Sequence, residues 1–128
     1  MGYRSSVSIT LVTADFERLM FCAEAQDGHV ADFLNIAEFY RNELFTTLCF
    51  DWVKWYVSDE DVRFIETFLA DVPHMFWRLG EENCDIEYRS NLDGVDFYKM
   101  YSCVNFVRKL DFSGAGEKID VGLRTATF

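Results

Sequence analysis

The stretch from Glu43 to Val57 constrains this chain most, because both of its faces are apolar in places. It is rich in β-branched and aromatic residues, with Leu44, Phe45, Leu48, Phe50, Trp52, Val53, Trp55 and Tyr56 in close succession, and it reads as one long strand. Successive side chains of a strand point to opposite faces, so apolar groups in both directions need cover on both sides. The expected setting is a central strand with a helix on one side and another chain on the other.

The rest of the sequence supplies elements to pack around it. Tyr3 to Val12 alternates, with Tyr3, Val7, Ile9 and Leu11 opposite Arg4, Ser6, Ser8 and Thr10, a half-buried strand. Thr13 is placed to cap a helix whose inner side is Phe16, Leu19, Met20 and Ala23, with Asp15 and Glu17 favourable in its first turn. Asp27-Gly28 breaks it, and a second helical stretch carries Val30, Phe33, Leu34 and Ala37. Ser58 is expected to cap a third helix, with three acids at its positive end. Its stripe is Val62, Ile65, Leu69 and Val72, broadened by Phe64 and Phe68, and Pro73 closes it. Met75, Trp77 and Leu79 alternate with Phe76 and Arg78 in a short strand ending at Gly80, while Glu81 to Asn91 has no clear pattern. After an Asp93-Gly94 turn, Val95 to Leu110 reads as a second long strand.

The order β-α-α-β-α-β-β predicts an α+β fold, an antiparallel β-sheet with helices packed on it. Residues 1–112 form a single α+β domain in this reading, and residues 113–128, opening with Ser113-Gly114-Ala115-Gly116, a flexible or partner-ordered tail. At 128 residues, 50% of them hydrophobic and 13 of them Phe, the chain has ample material for a core. Aromatic surface beyond that need points to a homodimer. Trp52 and Trp77 are assigned to the core; Trp55 and Tyr56 are the better candidates for an exposed aromatic face.

Charge speaks to function. Residues 1–90 hold 17 acids against 7 bases, whereas residues 91–128 hold 5 of each. A surface with a net charge of −10 repels nucleic acid and anionic membrane and attracts basic protein surfaces. No apolar run approaches the ~20 residues of a membrane span, and Met1 to Ser6, with no long apolar stretch, does not read as a signal peptide. Met1-Gly2 with Ser6 meets a myristoylation pattern, read here as coincidence within a strand. Cys22, Cys49, Cys84 and Cys103 form no C-x-x-C pair, consistent with reduced thiols in a cytoplasmic protein.

The motifs of enzymes are missing. His29 and His74 lack neighbours at metal-ligand spacing, and Gly114 to Lys118 does not complete a phosphate loop. Lys99, Arg108 and Lys109 near aromatics would suit RNA, against the net charge. With 22 acids, pairs suited to acid–base hydrolysis arise by chance, and nothing singles one out. No metal, cofactor or catalytic residue is therefore expected.

Two acidic clusters stand out. Asp51, Asp59, Glu60 and Asp61 flank one strand-to-helix junction, and Glu81, Glu82, Asp85 and Glu87 follow the next strand. With Trp55 and Tyr56 they are the candidate partner-binding residues, a face for a host protein with a basic surface. Helix capping and solubility are the plain alternative, and mimicry of DNA phosphates or a role in virion assembly the others.

Three stretches together carry a resemblance. Met1-Gly2-Tyr3-Arg4-Ser5, Val53-Lys54-Trp55-Tyr56, and Arg78-Leu79-Gly80-Glu81-Glu82 with Asp85-Ile86-Glu87 resemble, in order and rough spacing across residues 1–90, a family of small phage-associated proteins. The tail has no counterpart there. That family has no settled activity, so the resemblance implies a setting: small acidic phage proteins often disable host defences. In size and acidity the chain is similar to BREX inhibitors of the OrbA kind, with no motif in common. The expectation is a non-enzymatic phage-type inhibitor acting in the host cytosol, the alternative a small carboxylate-based hydrolase or nucleotide-processing enzyme.

Overall fold

A computed structural model describes residues 2–26, 29–82, 84–91, 105–106 and 110–119. Its elements in chain order are β1 (Ser5–Val12), α1 (Thr13–Glu24), α2 (Val30–Asn35), β2 (Glu38–Arg41), β3 (Phe45–Val53), α3 (Glu60–Leu69), β4 (His74–Gly80), β5 (Ile86–Ser90), β6 (Asn105–Phe106), β7 (Leu110–Asp111), a 3-10 turn (Ser113–Ala115) and β8 (Glu117–Ile119). Six strands form one sheet in the order β5-β4-β1-β3-β2-β8, every neighbouring pair antiparallel. The fold is thus α+β, helices on an antiparallel sheet.

The helices bury the faces that their spacing promised. Phe16, Leu19, Met20 and Ala23 of α1 pack with Val62, Ile65 and Leu69 of α3 over Val7, Ile9, Leu11, Leu48 and Phe50 of the sheet. Phe33 of α2 stacks on Phe50 at 5.0 Å between ring centroids. Two expected caps are absent. Thr13 is already helical and its hydroxyl bonds the Thr46 hydroxyl at 3.0 Å. At α3 the cap position falls to Asp59 instead of Ser58, and no side chain caps the helix. Pro73 lies beyond the last turn, where Ala70 already forms the C-cap.

β1 is not half-buried. It runs between β3 and β4, and its polar residues Ser8 and Thr10 are as buried as Val7 and Ile9. Thr10 reconciles burial with polarity by bonding the Thr47 hydroxyl at 3.0 Å. The second face of the sheet carries Phe45, Met75 and Leu79, with Tyr40, Trp77, Phe112 and Ala115 packed on them. Phe112 lies flat on Tyr40, centroids 4.9 Å apart. The cover that β3 requires on this side thus comes, at least in part, from the same chain.

Three further corrections concern strands. Glu38–Arg41 is a strand where none was expected, and β5 settles part of the unread 81–91 stretch. Most of the expected 95–110 strand lies outside the described residues, but Phe106 and Leu110 belong to two antiparallel strands instead of one. The expected tail begins inside the fold: Glu117–Ile119 is a late strand, paired with β2 of its own chain. Gly116 makes the entry possible with φ 94°, where any Cβ would run into the Arg41 carbonyl. Residues 120–128, and the Asp27-Gly28 helix break, lie outside the described residues. Among the described residues no helix is long and apolar enough to cross a membrane.

Candidate functional site

A change of register organises one end of the sheet. Ser5 lies opposite Val53 and Val7 opposite Phe50, so Asp51 and Trp52 together face the single residue Ser6, a bulge in β3. Trp52 takes φ 60°, the left-handed region, and is the sole described non-glycine residue with positive φ. Asp51 accepts a bond from the Ser6 hydroxyl at 3.3 Å. An inserted residue exchanges the two faces for everything after it. The aromatics are accordingly swapped: Trp52 is 46% exposed, and Trp55 only 8%. Trp55 belongs to the core, its ring tilted against Phe33, Phe50 and Phe76 and its Nε1 donating to Glu66 at 3.0 Å. Tyr56 remains at the surface, as expected.

The three sequence stretches meet at this end. The Tyr3 backbone N–H donates to the Tyr56 hydroxyl at 2.6 Å, and the Tyr3 hydroxyl donates to Asp85 while accepting from the Glu82 N–H. The Arg4 N–H donates to Glu81 at 2.7 Å, and its guanidinium to the Trp52 carbonyl at 3.2 Å. Arg78 holds Asp85 through two bonds of 2.7 and 3.1 Å, reaches Glu87 at 3.0 Å and donates to Ser5. Gly80 leaves room for this contact, since a Cβ there would displace the Asp85 carboxylate and the Tyr3 hydroxyl. Arg89 continues the chain of charges, ion-paired with Glu87 at 2.8 Å and gripping Glu66 through hydrogen bonds of 2.8 and 2.9 Å while lying on the Phe76 ring.

These contacts divide the two acidic clusters. Arg78 beside it, with the Tyr3 hydroxyl, holds the Asp85 carboxyl below its usual range. Burial alone would raise Glu66, but Arg89 and the Trp55 N–H outweigh it and hold that carboxyl low. Asp85 and Glu87 are therefore neutralised by the protein itself, and Glu81 fastens the chain's start. Glu82 is exposed. The second cluster is mainly a clasp.

The first cluster differs. Asp59, Glu60 and Asp61 line a groove of about 480 Å³ at the start of α3. Its apolar lining is Phe33, Ile36, Val53 and Val62, with Ile36 61% exposed. Arg4 and Lys54 line it too. Desolvation, with Glu60 and Asp59 nearby, pushes the Asp61 carboxyl up despite the opposing influence of His29. Among the described residues no ion pair engages any of these five charged side chains, while Arg18, Arg78, Arg89 and Lys118 are all paired.

Sequence reasoning named residues that the fold does bring to one end of the sheet, but it missed Trp52 as a surface group and the groove itself. Asp51, between two large aromatics in an apolar strand, was the available signal of a bulge. His74 is buried and its Nδ1 bonds the Val72 carbonyl at 3.0 Å, a structural arrangement. No cluster able to hold a metal ion occurs among the described residues. Comparison with protein-family models, curated proteins and solved structures finds no match.

Proposed function

We propose that this chain is a non-enzymatic, phage-type protein that binds and inhibits a host protein, one belonging to a defence system. The contact face is Trp52 and Tyr56 with the carboxylates of Asp51, Asp59, Glu60 and Asp61. The observation that carries this reading is Trp52. A bulky residue in the left-handed region costs about 1–3 kcal/mol, and such strain clusters where a side chain is needed in a particular place. Here it leaves a large indole half in solvent at the bulge it shares with Asp51, and an exposed aromatic with a carboxylate is the composition of a binding hot spot. Asp59, Glu60 and Asp61 are not consumed in capping α3, so the plain reading of that cluster loses part of its support.

The partner presents a basic surface, such as a nucleic-acid channel or an assembly interface, and blocking it is the mechanism. Affinity capture of the tagged protein from a bacterial lysate tests this at low and high salt, because exposed charge pairs are screened within about 8–10 Å at physiological ionic strength. One enriched host complex, lost at high salt, is expected. A complex undiminished by salt contradicts an acidic interface, and capture of nothing at either salt contradicts the binding role. Size in solution tests the homodimer. The raised Asp61 carboxyl favours one alternative, a small carboxylate-based hydrolase, whose test is turnover in a metabolite screen.

A further inference from the structure

The groove at the start of α3 holds both signs of charge, and among the described residues no ion pair joins or neutralises them. Arg4 and Lys54 come from the strand ends, Asp59, Glu60 and Asp61 from the start of α3, and all five line one space. Among the described residues none of them lies within ion-pair distance of a group of opposite sign. Cations and carboxylates sharing a groove would pair if they could reach each other; here they remain apart, with Ile36 and Val53 also in the lining. A purely basic ligand would be drawn to the carboxylates and repelled by Arg4 and Lys54. A purely acidic one meets the reverse. A ligand carrying both charges, with an apolar part between them, satisfies every group.

We infer that the groove receives a short mixed-charge peptide segment of the partner. Its basic side chain lies against Asp59, Glu60 and Asp61, its acidic side chain against Arg4 and Lys54, and an aliphatic residue between them on Ile36 and Val53. A volume of about 480 Å³ is within the range of sites for small ligands and fits a few residues of extended chain. Charge of both signs also gives the selectivity that acidity alone lacks, since basic surfaces are common. This rests on the binding role proposed above and specifies the partner's contact segment.

Titration of the isotope-labelled full chain with acetylated, amidated tetrapeptides, followed by backbone amide shifts, tests it. Lys-Leu-Leu-Glu is expected to bind about tenfold more tightly than Lys-Leu-Leu-Lys or Glu-Leu-Leu-Glu, with shifts centred on Ile36, Val53, Lys54 and residues 59–62. Lys54→Glu should move the preference to Lys-Leu-Leu-Lys, a gain that mere damage to the fold would not produce. Equal or tighter binding of Lys-Leu-Leu-Lys to the wild type overturns the inference, as does the absence of any shift in the groove. If that happens while salt-sensitive capture of a host complex persists, the acidic face stands and only the groove's specificity falls. Loss of capture as well removes the binding role itself.

Discussion

Replacing Trp52 by glycine and, separately, by alanine isolates the strain at the bulge. Both variants lose the same indole, which is 46% exposed, so about half of its surface leaves a protein environment. Taking a Trp at roughly 200 Å², that is about 100 Å², or about 2.5 kcal/mol at 25 cal/mol per Å². The two differ in the backbone. At φ 60° an L-residue costs about 1–2 kcal/mol that glycine does not. In an ordinary strand glycine is the worse residue, by roughly 0.5–1 kcal/mol. The net result should invert the usual order, with Trp52→Gly about 1 kcal/mol more stable than Trp52→Ala, or about 4 °C in Tm. Urea denaturation of both proteins reads this directly. Alanine equal to or more stable than glycine would refute a left-handed Trp52, and with it the argument that the indole is held outward at a cost.

Four further expectations follow from the same contacts. Glu66→Gln removes the charge that Arg89 grips and should destabilise by about 2 kcal/mol, read by denaturation. On acidification, burial holds the folded His74 pKa below 6.5, with Arg89 acting in the same sense and Glu66 in the opposite one, and that of Glu66 lies below 4.5. Because both are depressed on folding, their contributions are present at neutral pH, the first declining below about 6.5 and the second below about 4.5; His74→Asn should abolish only the first decline. Gly80→Ala forces Asp85 and Tyr3 apart and should cost about 1–3 kcal/mol, with loss of amide protection at Tyr3 and Arg4. Charge reversal at Asp59, Glu60 and Asp61 together should weaken the host complex at least tenfold while the protein stays folded, losing about 1–2 kcal/mol from the α3 dipole.

The helices were legible because their evidence is local and repeated: three or four apolar residues at helical spacing define each buried face of α1 and α3. β1 and β4 were legible by alternation, but not the depth of β1. The depth of its serine and threonine side follows from β1 lying between β3 and β4, with Phe45, Met75 and Leu79 on the same face, a placement that the local pattern does not carry. β2 has four residues and little room for a pattern. The bulge matters most for the site, since two residues set opposite one reversed the roles of Trp52 and Trp55. Composition located the carboxylates, yet could not divide them into those neutralised by Arg78 and Arg89 and those left facing the groove. That division depends on the pairing of β4 with β5, which sets Arg78 opposite Glu87.

A photo-crosslinking residue at position 52 tests the central claim most directly, with the same residue at Phe21, which is 73% exposed on α1, as the control. In a bacterial lysate at low salt, position 52 is expected to join covalently to one host protein, the crosslink to fade at high salt, and position 21 to yield none. Crosslinking from position 21 with none from position 52 would place any partner on another face and contradict the account.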